Sequence, residues 1–295
     1  FKEGVTGYLA TTLTSDLESL IKVAKNVKKA IKENPSLIGI HLEGPYINAK
    51  YKGAQNELYI RKPDILEFDK LNEASGNNIR YISLAPEVEG SLEFIKHITA
   101  RGVVASAGHT DASFNDVEKA IEAGLTNTTH THNAMSGHHH RKPGVLTAAF
   151  YFDALYTEFI LDGIHVHPDV IKTSYKIITS DRFFVVTDAL KIKHSDIDKF
   201  KLFGLDVERR DGAAYLTSGP LAGSLLSMDK ALRNLKSYIK DISLIDLMKV
   251  SSYNASKALK LSDRGLIEAG RYADLVLLNE DLTVSSTYLR GKKVY

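Results

Sequence analysis

Short apolar, β-branched runs recur along the chain, and an amphipathic stretch follows most of them. Val5 to Thr11 reads as a strand. Ser15 then caps a helix whose apolar face carries Leu17, Leu20, Ile21, Ala24, Val27 and Ile31, the spacing of a helical stripe. Leu37 to Glu43 is the next strand, halted by Gly44-Pro45. Ile79 to Ala85 follows, with a helix from Ser91 to about Arg101. Val103 to Ala107 leads into Gly108-His109 and a helix from Ser113 to about Ala123. Asn127 to His132, Thr157 to Leu161 and Phe183 to Val186 bring the count to seven strands, the last ending in Thr187-Asp188. Near-continuous apolar strands separated by helices predict a parallel sheet covered on both faces.

Two architectures satisfy that rhythm, an open doubly wound sheet and a closed eight-stranded barrel. The open sheet usually announces itself with a glycine-rich phosphate loop, and neither G-x-G-x-x-G nor G-x-x-x-x-G-K-[ST] occurs here. A barrel needs eight strands, so a count of seven implies one missing or miscounted, with the natural place for it before Phe1. After Asp188 the rhythm changes. Arg209 to Ala213 gives a hairpin turn signal, Ser224 to about Lys260 reads as helical, and Gly265 to Tyr295 as short antiparallel strands, Ala273 to Leu278 strongest. The expected division is a barrel over 1–262 and part of a small β domain over 263–295.

Composition narrows the function. Hydrophobic residues at 43% and charged residues at 25% are ordinary for a globular chain, which removes wholesale disorder. Lys+Arg 38 against Asp+Glu 36 leaves a formal +2, no footprint for nucleic acid, although a local basic pocket for a phosphorylated small molecule remains open. The absence of cysteine excludes a disulfide scaffold, a thiolate metal site and a cysteine nucleophile. No apolar run approaches the roughly 20 residues that span a bilayer. Phe1-Lys2-Glu3-Gly4 is neither a start methionine nor a signal peptide. The expectation is a cytoplasmic, enzyme-sized chain that lacks its true beginning.

Candidate chemistry sits at the strand ends. Nine of eleven histidines fall between His97 and His167. Glu43, His109, His130 and Asp188 each stand at or near the C-terminal end of a different predicted strand, the face that carries chemistry in a barrel. Any one alone reads as a hydrogen-bonded histidine or a capping carboxylate; four together read as a metal site. Two imidazoles and one carboxylate suit a divalent ion such as zinc or iron, with a position left open for water. Such an ion lowers the pKa of its water towards about 7. A carboxylate that is not a ligand can take that water's proton and return it to a leaving group, and Asp188 is the candidate.

These residues carry a resemblance. His41-Leu42-Glu43-Gly44-Pro45, Leu84-Ala85-Pro86-Glu87, Ala107-Gly108-His109 and Thr129-His130 leading into Asn133-Ala134-Met135 resemble successive motifs of the N-acetylglucosamine-6-phosphate deacetylase family. So do Asp162-Gly163-Ile164-His165, Thr187-Asp188-Ala189, Leu221-Ala222-Gly223-Ser224 and Gly270-Arg271-Tyr272-Ala273-Asp274, in family order. The resemblance implies a metal-dependent TIM-like (β/α)8 barrel of the amidohydrolase superfamily with a small β-sandwich domain, its first barrel strand and part of the small domain preceding Phe1. It implies Glu43, His109 and His130 as metal ligands, Asp188 as general base and acid, and His165 as the residue that orients and polarises the acetamide carbonyl. It places Ala54-Gln55, Asn133-Ala134 and Arg141 where the family holds the sugar phosphate, and Asp162 to His165 with Leu221, Ala222 and Gly223 at further substrate contacts. The implied reaction is hydrolysis of N-acetylglucosamine 6-phosphate to glucosamine 6-phosphate and acetate, by a homodimer.

Other features compete with that set. His130-Thr131-His132 and His165-Val166-His167 share the H-x-H spacing that points two side chains the same way on a strand. His132 is read as a non-ligand and His167 as a loop residue before Pro168. The tract His138-His139-His140 is read as a solvated or phosphate-side loop beside Arg141, because three consecutive residues do not converge easily on one ion. Glu87 is read as a polar network residue. Whether one ion or two bind is left open. Two other functions remain: an amidohydrolase acting on a cyclic amide or aminated base, and a metal-free sugar-phosphate sensor.

Overall fold

The structure is a computed structural model that describes residues 1–202 and 204–295. The chain forms two compact units, one of residues 7–155 and one of residues 1–6 with 156–295. The boundary drawn from the sequence at 262/263 falls inside the second.

The first unit alternates strand and helix: β1 (Tyr8–Thr11), α1 (Leu17–Glu33), β2 (Leu37–Glu43), α2 (Ile65–Ser75), β3 (Ile79–Leu84), α3 (Ser91–Thr99), β4 (Val104–Ala107), α4 (Phe114–Ala123), β5 (Leu125–Thr128) and α5 (Val145–Tyr151). β1 to β5 pair in sequence order and in parallel. Each strand end therefore faces the same way, and the loop after each strand opens on one side of the sheet. β2 is buried at Leu37, Ile40, Leu42 and Glu43, and the core between sheet and helices takes Leu20, Ala24, Val27, Phe68, Leu71, Phe94, Ile98, Val117 and Ala120. The stripe read on α1 is the face it buries, at Leu20, Ala24 and Val27. Its cap is not Ser15. Asp16 Oδ1 accepts from the Ser19 amide at 2.8 Å, and a carboxylate also complements the positive end of the helix dipole. Ser113, where the helix was expected to begin, caps α4 in a reciprocal capping box with Asp116.

The second unit holds β6 (Tyr156–Ile160), α6 (Pro168–Arg182) and β7 (Phe183–Val186), with β6 and β7 parallel and the Phe159 and Phe183 rings stacked at 4.0 Å. An antiparallel sheet follows, β8 (Lys199–Leu202), β9 (Leu205–Arg210), β10 (Ala213–Leu216) and β11 (Leu221–Ser224), and the expected turn joins β9 to β10 at Asp211-Gly212. The expected helix from Ser224 to Lys260 is instead broken. Ser224 ends β11, and α7 (Met228–Tyr238), α8 (Leu244–Met248), a π-helical turn (Lys249–Tyr253) and α9 (Asn254–Ala258) follow. The tail forms an antiparallel sheet of β12 (Leu275–Leu278), β13 (Val284–Leu289) and β14 (Lys292–Lys293).

Asn254 fixes the start of β7: its buried side-chain amide donates to Ser180 O at 2.7 Å and Phe183 O at 2.8 Å. Truncating it leaves two buried carbonyls unpaired, at about 1–3 kcal/mol each. Asn254→Ala is expected to lower the urea midpoint by an amount equivalent to about 2–6 kcal/mol with the m-value unchanged. A shift below about 0.5 kcal/mol would show that water replaces the amide.

Candidate metal centre and active site

Glu43 closes β2, and His109 and His130 follow β4 and β5 by two residues each. Because the strands are parallel neighbours or near neighbours, these three side chains meet from positions far apart in sequence. One ligand atom from each lies within 4.8 Å of the others, and all three residues are buried. Glu43 Oε1 is 2.9 Å from His109 Nε2 and 3.6 Å from His130 Nε2, and the two Nε2 atoms are 3.2 Å apart.

The tautomer of His109 decides what this cluster can hold. Its Nδ1 stands 2.9 Å from the carbonyl of Tyr51. A carbonyl only accepts, so Nδ1 carries the hydrogen and, in the neutral ring, Nε2 presents a lone pair. That lone pair faces a carboxylate oxygen and a second imidazole nitrogen at hydrogen-bond distances. The His109 lone pair and the Glu43 oxygen, 2.9 Å apart in a dry site, repel one another unless a proton or a cation lies between them. The set fits a divalent cation, with the Tyr51 carbonyl fixing ring orientation as outer partners of metal-bound histidines do. Without an ion, burial pushes the Glu43 carboxyl upward, and hydrogen bonds and charge from His109 and His130 in their protonated forms outweigh it and hold the group well below the usual carboxylate range; a cation in place of those protons supplies the same positive charge. Glu43 is thus ready to ligate as the anion.

Beneath the ligands runs a neutral polar layer. His41 Nε2 is 2.7 Å from Ser83 Oγ, and Ser83 and Ser106 each lie 2.6 Å from Thr129 Oγ1. Burial, with the neighbouring imidazoles, pushes His41 down to about 4, so it adds no positive charge next to the site at neutral pH. Glu87, read from the sequence as a network residue, accepts from Thr110 Oγ1 (2.5 Å), the Asp111 amide (2.7 Å) and Asn48 Nδ2 (2.9 Å). Asn48 in turn donates its amide to His109 O at 2.9 Å. Glu87 therefore clamps the turn that carries His109 to the loop that carries Tyr51.

The H-x-H reading of residues 130–132 does not hold as strand geometry. β5 ends at Thr128, and His130 and His132 lie beyond it at φ of +32° and +84°. A backbone in the left-handed region turns with each residue, so the alternation of a strand is lost. Asn133 and Ala134 complete the turn: the Asn133 amide donates to His130 O at 2.9 Å, and Ala134 O accepts from Thr110 N at 3.1 Å. In the tract 138–140, His138 bonds Thr147, while His139 Nδ1 accepts from the amides of Arg141 and Lys142, each at 3.2 Å. No metal cluster forms there among the described residues, and Arg141 is exposed. Ala54 lies in the loop after β2, and Gln55 beside it is buried.

In the second unit, Asp162 and His165 form a pair. Asp162 Oδ2 accepts from His165 Nδ1 at 2.6 Å, and Oδ1 accepts from the Ile164 and His165 amides at 2.9 and 2.8 Å. With Nδ1 given to the carboxylate, Nε2 can donate only when the ring is the imidazolium. His167 is the cap of α6, its Nδ1 accepting from the Asp169 amide.

Asp188 follows β7 at φ +46°, an uncommon backbone for a residue with a Cβ. Ser224, which the sequence placed at the start of a helix, secures that turn. Its amide donates to Asp188 O at 2.9 Å, its hydroxyl donates to Thr187 O, and its carbonyl accepts from the Leu190 amide at 3.0 Å. A Cβ on Gly223 would lie 2.9 Å from Leu190 Cγ and 3.3 Å from Asp188 O, so only glycine permits the approach. Leu221 and Ala222 precede it on β11. The signal for Ser224 was present in the motif it ends, but its partner is 36 residues away in the numbering and invisible to local patterning.

The profile of the amidohydrolase family matches residues 1–294. An N-acetylglucosamine-6-phosphate deacetylase of Bacillus subtilis is 37% identical over 98% of this chain and 75% of its own length. The crystal structure of an N-acetylglucosamine-6-phosphate deacetylase from Thermotoga maritima superposes with a TM-score of 0.94 at 37% identity, over 100% of this chain and 80% of that one. A variant of the same-named enzyme from Mycobacterium smegmatis, solved in complex with N-acetyl-D-glucosamine-6-phosphate, superposes at 0.92 with 29% identity, over 98% and 76%.

Burial pushes the Asp162 carboxyl upward, yet the His165 hydrogen bond and charge with the two amides hold it below its ordinary 3.8. A depressed carboxylate stabilises the fold above its unfolded pKa and loses that contribution as pH falls through the folded value. Asp162→Asn is therefore expected to be less stable than the wild type at neutral pH by about 1–3 kcal/mol. The gap should narrow only below pH 3.8. Urea melts across pH check this, and a gap that is the same at every pH would contradict it.

Proposed function

The chain belongs to the amidohydrolase family, and on that premise we propose that it hydrolyses N-acetylglucosamine 6-phosphate to glucosamine 6-phosphate and acetate. The observation that carries the reading is the buried convergence of Glu43, His109 and His130, with His109 turned by the Tyr51 carbonyl so that Nε2 faces its partners. Glu43, His109 and His130 would hold the ion. We assign it as zinc or iron, in one or two copies, on the chemistry of a two-imidazole, one-carboxylate set. When bound, a divalent ion supplies Lewis acidity and lowers the pKa of its water.

The remaining roles are the chain's own. Amide hydrolysis adds water across the C–N bond: the carbonyl carbon gains oxygen, the nitrogen gains a proton, and acetate leaves. In this reading Asp188, as carboxylate, takes the proton of the attacking water and then hands it to the departing amine. His165, fixed at Nδ1 by Asp162, donates from Nε2 in its imidazolium form to the carbonyl oxygen as negative charge develops there, keeping its proton throughout. Arg141 presents a forked donor to the 6-phosphate, and Asn133-Ala134 with Ala54-Gln55 add contacts there. Asp162, Leu221, Ala222 and Gly223 shape the sugar side. Holding the phosphate away from the reacting carbon turns binding energy into orientation. We further assign a cytoplasmic homodimer; no helix among the described residues is long and apolar enough to cross a membrane.

Acetate release from N-acetylglucosamine 6-phosphate that stops on adding a chelator and returns with metal tests the reading. Equal turnover of the unphosphorylated sugar would favour a different amide substrate, and binding without turnover would favour a sensor. Asp188→Asn is expected to retain metal and sugar phosphate while kcat falls about 10²–10⁴-fold. Loss of metal in that variant would remove Asp188 from the role. Arg141→Ala should raise KM for the phosphorylated sugar about 10- to 100-fold, the worth of a charge-assisted bond, and leave any slow turnover of the plain sugar unchanged. An equal loss on both would contradict phosphate recognition by Arg141.

A further inference from the structure

Gln55 lies in the loop after β2, between two short 3₁₀ turns at Ala49–Tyr51 and Glu57–Tyr59, yet it is only 4% exposed. A glutamine buried that deeply in a loop has both ends of its carboxamide to satisfy. Its Oε1 accepts from the backbone amide of Thr14 at 2.7 Å. An amide N–H can only donate, so this bond fixes which end of the carboxamide is oxygen. Nε2 must then point the other way, and it meets Glu43 Oε1 at 3.2 Å. That is the same oxygen that faces His109 Nε2 and His130 Nε2. Thr14 is itself buried, just past the end of β1. Three segments, the end of β1, the end of β2 and the loop that carries the Tyr51 carbonyl, are thereby tied to one carboxylate.

We propose that Gln55 is a positioning residue for the metal centre: it aims the Glu43 carboxylate and sets the affinity for the ion. The proposal rests on the reading of Glu43, His109 and His130 as metal ligands. Gln55 offers the anion a neutral N–H, and so fixes the rotamer of Glu43 without adding positive charge that would repel a cation. A lysine or arginine there would orient the carboxylate equally well but compete with the ion. This role differs from contact with the sugar phosphate, because it acts before substrate arrives and on a quantity measured without it.

The test is the zinc dissociation constant of the full chain, measured by competition with a chromophoric chelator for wild type, Gln55→Met and Gln55→Asn. Methionine keeps the volume and removes both polar ends, whereas asparagine keeps the amide and withdraws it by one methylene. Outer-shell partners of metal ligands are typically worth about 10- to 100-fold in affinity, and a loss of that size is expected in both variants. The absorption spectrum of the cobalt-substituted enzyme should change in Gln55→Asn, which a purely structural role would not cause. Unchanged zinc affinity in the folded variants overturns the proposal, and a raised KM alongside it would give Gln55 to the substrate alone. If wild type itself binds no zinc or cobalt, the metal reading falls first and takes this inference with it. If Gln55→Met fails to fold, Gln55→Asn decides.

Discussion

A carboxylate buried at the end of a parallel strand is a constraint that the surrounding structure must answer. Glu43 is 5% exposed, and an isolated anion there would be unfavourable by several kcal/mol. Against it lie two imidazole nitrogens and the Gln55 amide, which arrive on three different loops; the amide donates, and a cation shared with the imidazoles would supply the rest. Parallel pairing of β2 to β5 delivers the loops to one side, and the network through Glu87, Asn48 and Thr110 holds the His109 turn against the Tyr51 loop. The charge is stable only in company, and the company is a group of side chains that could hold a metal ion.

The candidate site residues sit where the backbone is least ordinary. His109, His130, Ala134 and Asp188 all have φ between +32° and +50°. Such a conformation disfavours a side chain with a Cβ by roughly 1–3 kcal/mol, and it persists only where neighbours over-determine it. Here the neighbours can be named. Ser224 bonds both carbonyls around Asp188, Asn48 bonds the His109 carbonyl, and the Asn133 amide bonds that of His130. Each of these partners is a backbone or small polar group whose work is to hold a turn, which explains why loops of this kind can carry a precise site.

Parts of the sequence reading were correct for local reasons and parts failed for non-local ones. β2 and β7 have the boundaries expected from their apolar runs, because burial on both faces leaves no competing pattern. The strand around His130 was set too far along: Asn127 to His132 is uniformly polar, and nothing in it marks Thr128 as the last paired residue. Ser15 and Asp16 are both competent caps, and only the arrival of the chain selects Asp16. Ser224 looked like the start of a helix because Ser before an apolar run is a capping signal, but its pairing with residues 188–190 draws it into strand geometry instead.

The run of seven strands, the apolar stripe of α1 that faces the core, and the residue types able to hold an ion were legible in the linear sequence, since periodicity and donor chemistry are properties of neighbours along the chain, whereas α2, α5 and α6 were not picked out from it. Tertiary structure alone decided which nitrogen of His109 faces Glu43, that Gln55 turns its amide to the same oxygen, and that Ser224 holds the turn at Asp188. Those depend on groups tens of residues apart meeting within about 3 Å, the range over which a hydrogen bond discriminates, and no local pattern encodes a meeting of that kind.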